Sequence, residues 1–257
     1  PGPSNVPGRV LRAIERPTID HRGPNFQDLA VEVLAKIKPI FKTSQPVIIF
    51  PSSGTGAWEA ALVNTLSPGD RVLMYETGQF SNLWIELASR LGLQPEICEG
   101  DWRGGAIADV IEARLSADMK HEIKAVCIVH NETSTGALSD VKAVRNAIDN
   151  AKHPALFLVD TISGLGSADY KHDDWGVDVT ITGSQKGLML PPGLGFNAVS
   201  EKAVTASKSA KLLRSYWDWT AQLQNNPTGN FPYTPATNLL YGLLAVSYTH
   251  LTLPTKR

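Results

Sequence analysis

Four short clusters of polar residues each closely follow an apolar, β-branched run of the sequence. They are Ser53-Gly54-Thr55-Gly56 after Phe50, His130-Asn131-Glu132-Thr133-Ser134-Thr135-Gly136 after Val129, Asp160 after Val159, and Gly183-Ser184-Gln185-Lys186-Gly187 after Thr182. A glycine-rich turn that opens a helix can bind a phosphate through backbone N–H groups. A buried acid requires a cation or a hydrogen-bond donor, and a desolvated lysine amine is a nucleophile. Together these residue types could hold an anionic ligand and react covalently with it.

Each cluster taken alone has an ordinary structural explanation. The turn at Gly54 is neither a Walker A loop nor a dinucleotide fingerprint, and it could be a simple βα turn. Residues 130–136 could cap a helix, Asp160 could be an N-cap, and Lys186 could be a solvated surface charge. The combination is more specific. Pyridoxal phosphate needs a phosphate cradle, an acid for its pyridine nitrogen and a lysine amine for a Schiff base with its aldehyde.

The apolar runs that carry these clusters alternate with helical periodicity between about residues 26 and 210. Leu29, Val33 and Ile37 share one face of a first helix, which Pro39 is expected to end. We predict strands at 47–50, 71–75, 125–129, 155–159, 177–182 and 196–199, and further helices at 57–66, 80–91 and 141–150. Near-continuous apolar strands are typical of a sheet covered on both faces. We therefore expect an α/β fold with a mostly parallel central sheet flanked by helices, and ligands at the carboxyl ends of its strands.

The chain divides into a long α/β region and shorter flanking segments. We expect an N-terminal arm at residues 1–25, a large cofactor-binding domain at 26–230, and the start of an interdomain or C-terminal segment at 231–246. A last helix begins at Asn238, and its pattern ends near residue 246. Residues 247–257 show no continuation of that helix, so we interpret them as a tail that need not be native, in a truncated chain.

Composition excludes several classes of protein. The 257 residues contain 24 basic and 25 acidic side chains, so no general field attracts nucleic acid or an anionic membrane. No apolar run is long enough to cross a bilayer. Cys98 and Cys127 are too far apart in sequence to indicate a disulfide framework or a metal site, which favours a reducing, cytoplasmic location. The chain begins with Pro1, so whether a targeting segment precedes it stays open.

In order and spacing, the four clusters and the Pro191-Pro192-Gly193 turn resemble the class V pyridoxal-phosphate aminotransferases, in particular the serine-glyoxylate and alanine-glyoxylate group. The resemblance extends from Gly2-Pro3-Ser4-Asn5 to Phe231-Pro232-Tyr233-Thr234-Pro235-Ala236-Thr237. It implies the fold type I of pyridoxal-phosphate enzymes, in which a large domain carries the cofactor. It also implies a small C-terminal domain with an arginine for the substrate carboxylate, and that domain is largely missing here.

The resemblance implies roles for individual residues. Lys186 corresponds to the Schiff-base lysine, which also moves the proton between the substrate α-carbon and the cofactor, and Asp160 to the acid on the pyridine nitrogen. Thr133 corresponds to the residue that reaches the ring hydroxyl, and Phe80 to an aromatic stacked on the ring. Without the resemblance, Phe80 would be a core residue and Thr234 a loop residue. The phosphate ligands correspond to Ser53, Gly54, Thr55, Gln185 and, from the other subunit of a homodimer, Thr234.

The activity that the resemblance implies is transamination between serine or alanine and glyoxylate, which gives hydroxypyruvate or pyruvate and glycine. Its partners are therefore small amino acids and 2-oxo acids, with no metal, nucleic acid or membrane. One alternative is a cysteine desulfurase, which needs a reactive cysteine on a mobile loop, whereas Cys98 and Cys127 lie in strand-like runs. A cofactor-binding but inactive fragment and a nucleotide-binding module stay open as well.

Overall fold

A computed structural model describes residues 2–252 of the chain, and the side chains of residues 2–248. Its strands form one sheet: β1 (Val47–Ser52), β2 (Arg71–Tyr75), β3 (Gln94–Cys98), β4 (Ile123–Val129), β5 (Leu156–Asp160), β6 (Val179–Gly183) and β7 (Gly193–Val199). The strand order is β1-β7-β6-β5-β4-β2-β3. All neighbouring pairs are parallel except the two that involve β7. The predicted mostly parallel α/β sheet is confirmed.

The antiparallel direction of β7 follows from the length of its connection. Residues 184–192 join β6 to β7, and this segment ends in Pro191-Pro192, directly before Gly193 at the start of β7. A parallel crossover needs about a dozen residues or more, usually as a helix. The connection is shorter than that, so the chain returns antiparallel and leaves β6 with its carboxyl end at the same edge as β5 and β4.

Helices cover both faces of the sheet. They are α1 (Gly8–Ile14), α2 (Pro24–Phe41), α3 (Gly54–Thr65), α4 (Gln79–Arg90), α5 (Ala108–Ala117), α6 (Val141–Asn150), α7 (Glu201–Ser207), α8 (Trp219–Asn225) and α9 (Thr237–Thr252). Alternate residues of β1 enter different cores. Ile49 belongs to the core that contains buried residues of α1, α2, α5, α6 and α9, and Phe50 belongs to the core that contains buried residues of α3, α4, α7 and α8. This two-sided packing explains why the strands are apolar at nearly every position.

Two helix ends differ from the sequence prediction. Helix α2 continues through Pro39 to Phe41, because a proline in the last turn removes only one backbone hydrogen bond, and Lys42 then ends the helix in a left-handed conformation. Helix α9 continues past residue 246 to Thr252, since its packing against α1 and α2 buries Val246 and Ser247. Residues 253–257 of the predicted tail lie outside the described residues. The domain boundaries and the origin of the tail stay predictions.

Candidate active site

The carboxyl ends of β4, β5 and β6 meet the beginning of α3 around a cavity of about 110 Å³. The cavity is lined by Ser53, Gly54, Thr55, Trp58, Phe80, Val129, Asn131, Thr133, Asp160, Ile162, Ser163, Gln185 and Lys186. Eight of the nine site residues predicted from the sequence are therefore brought together. Thr234 is the exception. The position is the one expected for ligands in an open α/β sheet.

One end of the cavity is built from the beginning of α3. The helix begins at Gly54, three residues earlier than the predicted start at Ala57, so its first backbone N–H groups border the cavity. A Cβ at Gly54 would lie 2.3 Å from Cδ1 of Ile162, so a side chain there would require the Ile162 side chain to move. Nearby, the buried Oε1 of Gln185 has no hydrogen-bond partner among the described residues. The free N–H groups and the helix dipole make this end electropositive, and it carries no side-chain bulk at Gly54, as an anion site requires. The NH₂ group of Gln185, and not its Oε1, is the part of that side chain that can donate to an anion.

The carboxyl group of Asp160, which also lines the cavity, is held by two hydrogen-bond donors. Oδ1 accepts the backbone N–H of Ile162 at 2.6 Å, and Oδ2 accepts the indole N–H of Trp58 at 3.0 Å. Burial raises the pKa of the Asp160 carboxyl to about 7, and the nearby charge of Glu132 contributes to this increase. The two hydrogen bonds and the charge of Lys186 act against it. The carboxyl is therefore poised to exchange a proton near neutral pH.

Lys186 follows β6 and lies between two cavities. Within residues 2–248, its Nζ has no hydrogen-bond partner and no ion pair. Its backbone carbonyl accepts the Ser4 hydroxyl at 2.8 Å, and the Ser4 N–H donates to the Gln185 carbonyl at 2.9 Å, so the N-terminal segment lies against this loop. A second, wider cavity of about 510 Å³ shares Asn131, Thr133, Ser163 and Lys186 with the first. The lysine amine can thus reach a ligand in the inner cavity from the side that opens outward.

Phe80 is placed by a buried carboxylate from another part of the chain. Glu132 is fully buried, and it accepts the backbone N–H groups of Phe80 at 3.3 Å and Ser81 at 3.1 Å, at the beginning of α4. It also accepts the N–H and the hydroxyl of Ser134. A carboxylate at a helix N-terminus satisfies unpaired N–H groups and interacts favourably with the helix dipole. Glu132 therefore ties the loop after β4 to the helix that carries Phe80.

Two hydroxyl groups meet on the remaining wall. The side chains of Thr133 and Ser163 are hydrogen-bonded to each other, and both line the inner and the outer cavity. Either hydroxyl can be the donor, so one of them keeps a proton that is available to a ligand.

Thr234 lies in a different place. Its side chain is exposed in a cleft of about 460 Å³ that it shares with Arg22 and Tyr233. None of the residues that line this cleft lines the inner cavity. Within one chain, Thr234 is thus separated from the other eight predicted site residues.

Sequence reasoning missed Trp58, Ile162 and Ser163, all of which line the inner cavity. Trp58 lies one helical turn after Gly54, and its side chain leans back toward the N-terminus of α3, as helical side chains do. Ile162 and Ser163 directly follow the acid that ends β5. The sequence signal for all three is proximity to a motif already identified.

Both cysteines are buried in strands and neither lines the cavity. Burial raises the pKa of the Cys98 thiol and of the Cys127 thiol. A thiol of this kind is a poor nucleophile, because the thiolate is the reactive form. The positions of the cysteines therefore disfavour the desulfurase alternative.

The described residues contain no helix that is both long and apolar enough to cross a bilayer. Within the same part of the chain, no three His, Cys, Asp or Glu side chains lie close enough together to hold a metal ion. The cytoplasmic location stays a prediction.

Comparisons with known proteins relate this site to one family. The chain is 51% identical to the serine–glyoxylate aminotransferase of Methylorubrum extorquens over 95% of its own length and 62% of that relative. It is 48% identical to the L-aspartate–glyoxylate aminotransferase of Paracoccus denitrificans, again over 95% of the chain and 62% of the relative. It thus spans less than two thirds of these curated relatives.

A solved structure and a family model agree with these relatives. The subgroup IV aspartate aminotransferase of Thermus thermophilus superposes with a TM-score of 0.89 at 32% identity, over 97% of this chain and 69% of the other. The family model described as aminotransferase class-V matches residues 3–244. Since that match covers nearly the whole chain, the protein belongs to the class V aminotransferase family.

Proposed function

We propose that the protein is a pyridoxal-phosphate-dependent aminotransferase that transfers the amino group of serine or alanine to glyoxylate. The observation that carries the proposal is the shared cavity. The Lys186 amine, which has no partner among the described residues, borders the same 110 Å³ space as a buried acid and the open N-terminus of a helix. The relatives named as serine–glyoxylate aminotransferases support glyoxylate as the amino acceptor.

The residues present fit the cofactor of this family. The bare backbone at Gly54, at the beginning of α3, and the NH₂ group of Gln185, whose side chain lines the same cavity, can donate to a charged group with several oxygens. Asp160 has a pKa of about 7 and lines the same cavity, which suits a partner that shares a proton, such as a pyridine nitrogen. When bound, the cofactor supplies an aldehyde that condenses with amines and a ring that withdraws electrons from the substrate.

In the proposed reaction, the residues of this chain bind, orient and move protons. Ser53, Thr55 and Gln185, with the first N–H groups of α3, hold the phosphate. Nζ of Lys186 takes a proton from the α-carbon of the substrate and delivers it to the C4′ atom of the cofactor. The Asp160 carboxylate keeps the pyridine nitrogen protonated, so that negative charge can spread into the ring.

The remaining walls orient the ring and exclude water. Phe80 presents a flat apolar face that Glu132 holds in place, and Thr133 donates to the ring hydroxyl. The outer cavity on the other side of Lys186 admits the amino acid and the 2-oxo acid. The homodimer, in which Thr234 of one subunit contacts the phosphate held by the other, belongs to the same proposal.

The test is a visible absorption spectrum of the purified chain with pyridoxal phosphate, with the substrates added in turn. We expect a yellow band that requires Lys186, fades with serine and returns with glyoxylate. Lys186→Ala is the test variant. Lys142→Ala, which removes an exposed amine from α6, is the matched control for non-specific reaction with surface lysines.

Two other results would contradict the proposed function. A Lys186-dependent band that does not respond to serine or alanine would identify a cofactor-binding chain without transaminase activity. A band that also persists in Lys186→Ala would mean that the cofactor reacts elsewhere. Adding L-aspartate as a third donor distinguishes the serine type from the type of the Paracoccus relative.

A further inference from the structure

The inner cavity contains a contact to which the proposed reaction assigns no role. The indole Nε1–H of Trp58 donates to Oδ2 of Asp160 at 3.0 Å, and both residues line the cavity. Trp58 is 2% exposed and Asp160 is 3% exposed, so water does not compete for this bond. A hydrogen bond between a buried donor and a charged acceptor is among the stronger ones in proteins.

The surroundings of Asp160 include groups that disfavour its charged form, and the Trp58 N–H acts against them. Burial disfavours the carboxylate, and Glu132, from the loop after β4, repels it. Lys186, from the loop after β6, attracts it, and the N–H of Ile162 and the indole of Trp58 donate to it. The indole can donate a hydrogen bond but cannot accept one, so it stabilises only the charged form of Oδ2 strongly. A carboxylate with two fixed donors also has a fixed orientation.

The position of Trp58 on α3 adds a second consequence. The helix that begins at Gly54, beside the anion site, carries Trp58 one turn later. One helix therefore borders the proposed phosphate site and also carries the indole that donates to Asp160. A shift of α3 would displace its first N–H groups and this indole together.

We propose that Trp58 is a positioning residue, whose indole N–H fixes the Asp160 carboxylate and keeps it charged so that the cofactor's pyridine nitrogen is held protonated. The inference rests on the proposed function for the identity of the bound ring. It makes the Trp58 N–H, and not the bulk of the ring, the contributing group.

The experiment compares Trp58→Phe with Trp84→Phe. Trp84 stacks on Trp58 with ring centroids 5.9 Å apart, it is equally buried, and its indole N–H has no partner among the described residues. Both variants remove the same atoms from adjacent rings, but only the first removes a hydrogen bond. If Trp58→Phe does not fold, Trp58→β-(3-benzothienyl)alanine replaces the N–H by sulfur at nearly constant shape.

The first readout is the dissociation constant of the cofactor. We expect Trp58→Phe to weaken pyridoxal phosphate binding about tenfold, the size of one hydrogen bond to a charged group. The carbocyclic analogue, in which CH replaces the ring nitrogen, should bind equally to the wild type and to this variant. Trp84→Phe should leave both dissociation constants unchanged.

The second readout needs no cofactor. With ¹³C-carboxyl-labelled aspartate, and Asp160→Asn to assign the resonance, we expect Trp58→Phe to move the titration midpoint of Asp160 about one pH unit higher. Failure of the wild type to bind pyridoxal phosphate would overturn the proposed function, whereas this titration would still decide the role of Trp58.

Two results would overturn the inference. One is an unchanged Asp160 midpoint in Trp58→Phe. The other is an equal loss of affinity for the cofactor and for the carbocyclic analogue, which would assign Trp58 to packing alone.

Discussion

The buried carboxyl group of Asp160, a residue of the proposed site, reduces the stability of the folded chain. It is 3% exposed at the end of β5, and its pKa rises from the usual 3.8 to about 7, mainly because of burial. In the cofactor-free protein, the folded state therefore binds this proton more tightly than the unfolded state does. The free energy of unfolding falls as the pH rises between these two pKa values, and the full loss is present above pH 7.

We predict that Asp160→Asn changes the pH dependence of stability. Asparagine does not titrate, so the variant avoids the cost of ionising a buried carboxyl, which grows by about 2 to 3 kcal/mol between pH 5 and pH 8. Relative to the wild type, its free energy of unfolding should increase from pH 5 to pH 8. Urea unfolding of the cofactor-free proteins at several pH values measures this.

A loss of hydrogen bonds in Asp160→Asn lowers the free energy of unfolding by the same amount at every pH, so it leaves that trend intact. Asp109→Asn, which removes a carboxylate from the exposed beginning of α5, is the control. A difference in unfolding free energy between Asp160→Asn and the wild type that does not change with pH would contradict the prediction.

At the level of elements, the beginning of α4 depends on a residue 51 positions away along the chain. Glu132 accepts N–H groups from the first turn of this helix and also binds Ser134, with no exposed surface. Helix α4 is thus anchored to the sheet at the carboxyl edge, where the site lies. Glu86, by contrast, lies on the exposed side of α4 and pairs with Arg90, four residues on.

We predict that Glu132→Gln lowers the free energy of unfolding by about 1 to 3 kcal/mol, because an amide NH₂ group then faces buried N–H donors. Glu86→Gln on the same helix should change it by less than about 0.5 kcal/mol. Urea unfolding measures both. We also expect Glu132→Gln to weaken cofactor binding, since Phe80 loses its anchor. Equal stabilities for the two variants would show that Glu132 does not hold α4.

How far the sequence predicts these elements depends on the range of the contacts. The apolar runs before Asp160 and Lys186 predict parallel strands that end at one edge, which brings these two residues together. The other cavity residues among the eight, such as Phe80 and Thr133, are assigned by the resemblance to the class V aminotransferases. The Trp58–Asp160 bond joins residues 102 positions apart, and no local pattern encodes it. Helix α9 continues beyond its own apolar pattern because α1 and α2 cover it. Tertiary packing, which periodicity does not report, decides both cases.

At the scale of the whole molecule, the position of Thr234 connects the site to assembly. Its exposed side chain lies outside the inner cavity, in a cleft beside Arg22. Under the proposed function, Thr234 would therefore serve the site of a second copy of the chain. Closed two-fold dimers exchange equivalent surfaces, so each subunit would supply the same residue to the other.

We predict that the protein is a homodimer and that its sites are shared, as measured by sedimentation velocity and by cofactor titration of hybrids. In a Lys186→Ala/Thr234→Val hybrid dimer, one site receives both changes and the other receives neither. Neither variant forms a wild-type site by itself. Lys186→Ala lacks the lysine in both sites, and Thr234→Val should remove a phosphate contact from both and weaken binding about tenfold. Co-expression of the two variants should restore about one quarter of the tight sites of the wild type, since half of the randomly assembled dimers are hybrids.

The control is a mixture of the two variants purified separately and combined without subunit exchange, which should restore no tight sites. A monomer in solution would contradict the shared site directly. A dimer whose co-expressed hybrids also lack tight sites would mean that Thr234 serves the cavity of its own chain and not the neighbouring one. Tight binding by the Thr234→Val protein alone would mean that the cleft around Thr234 is unrelated to the cofactor.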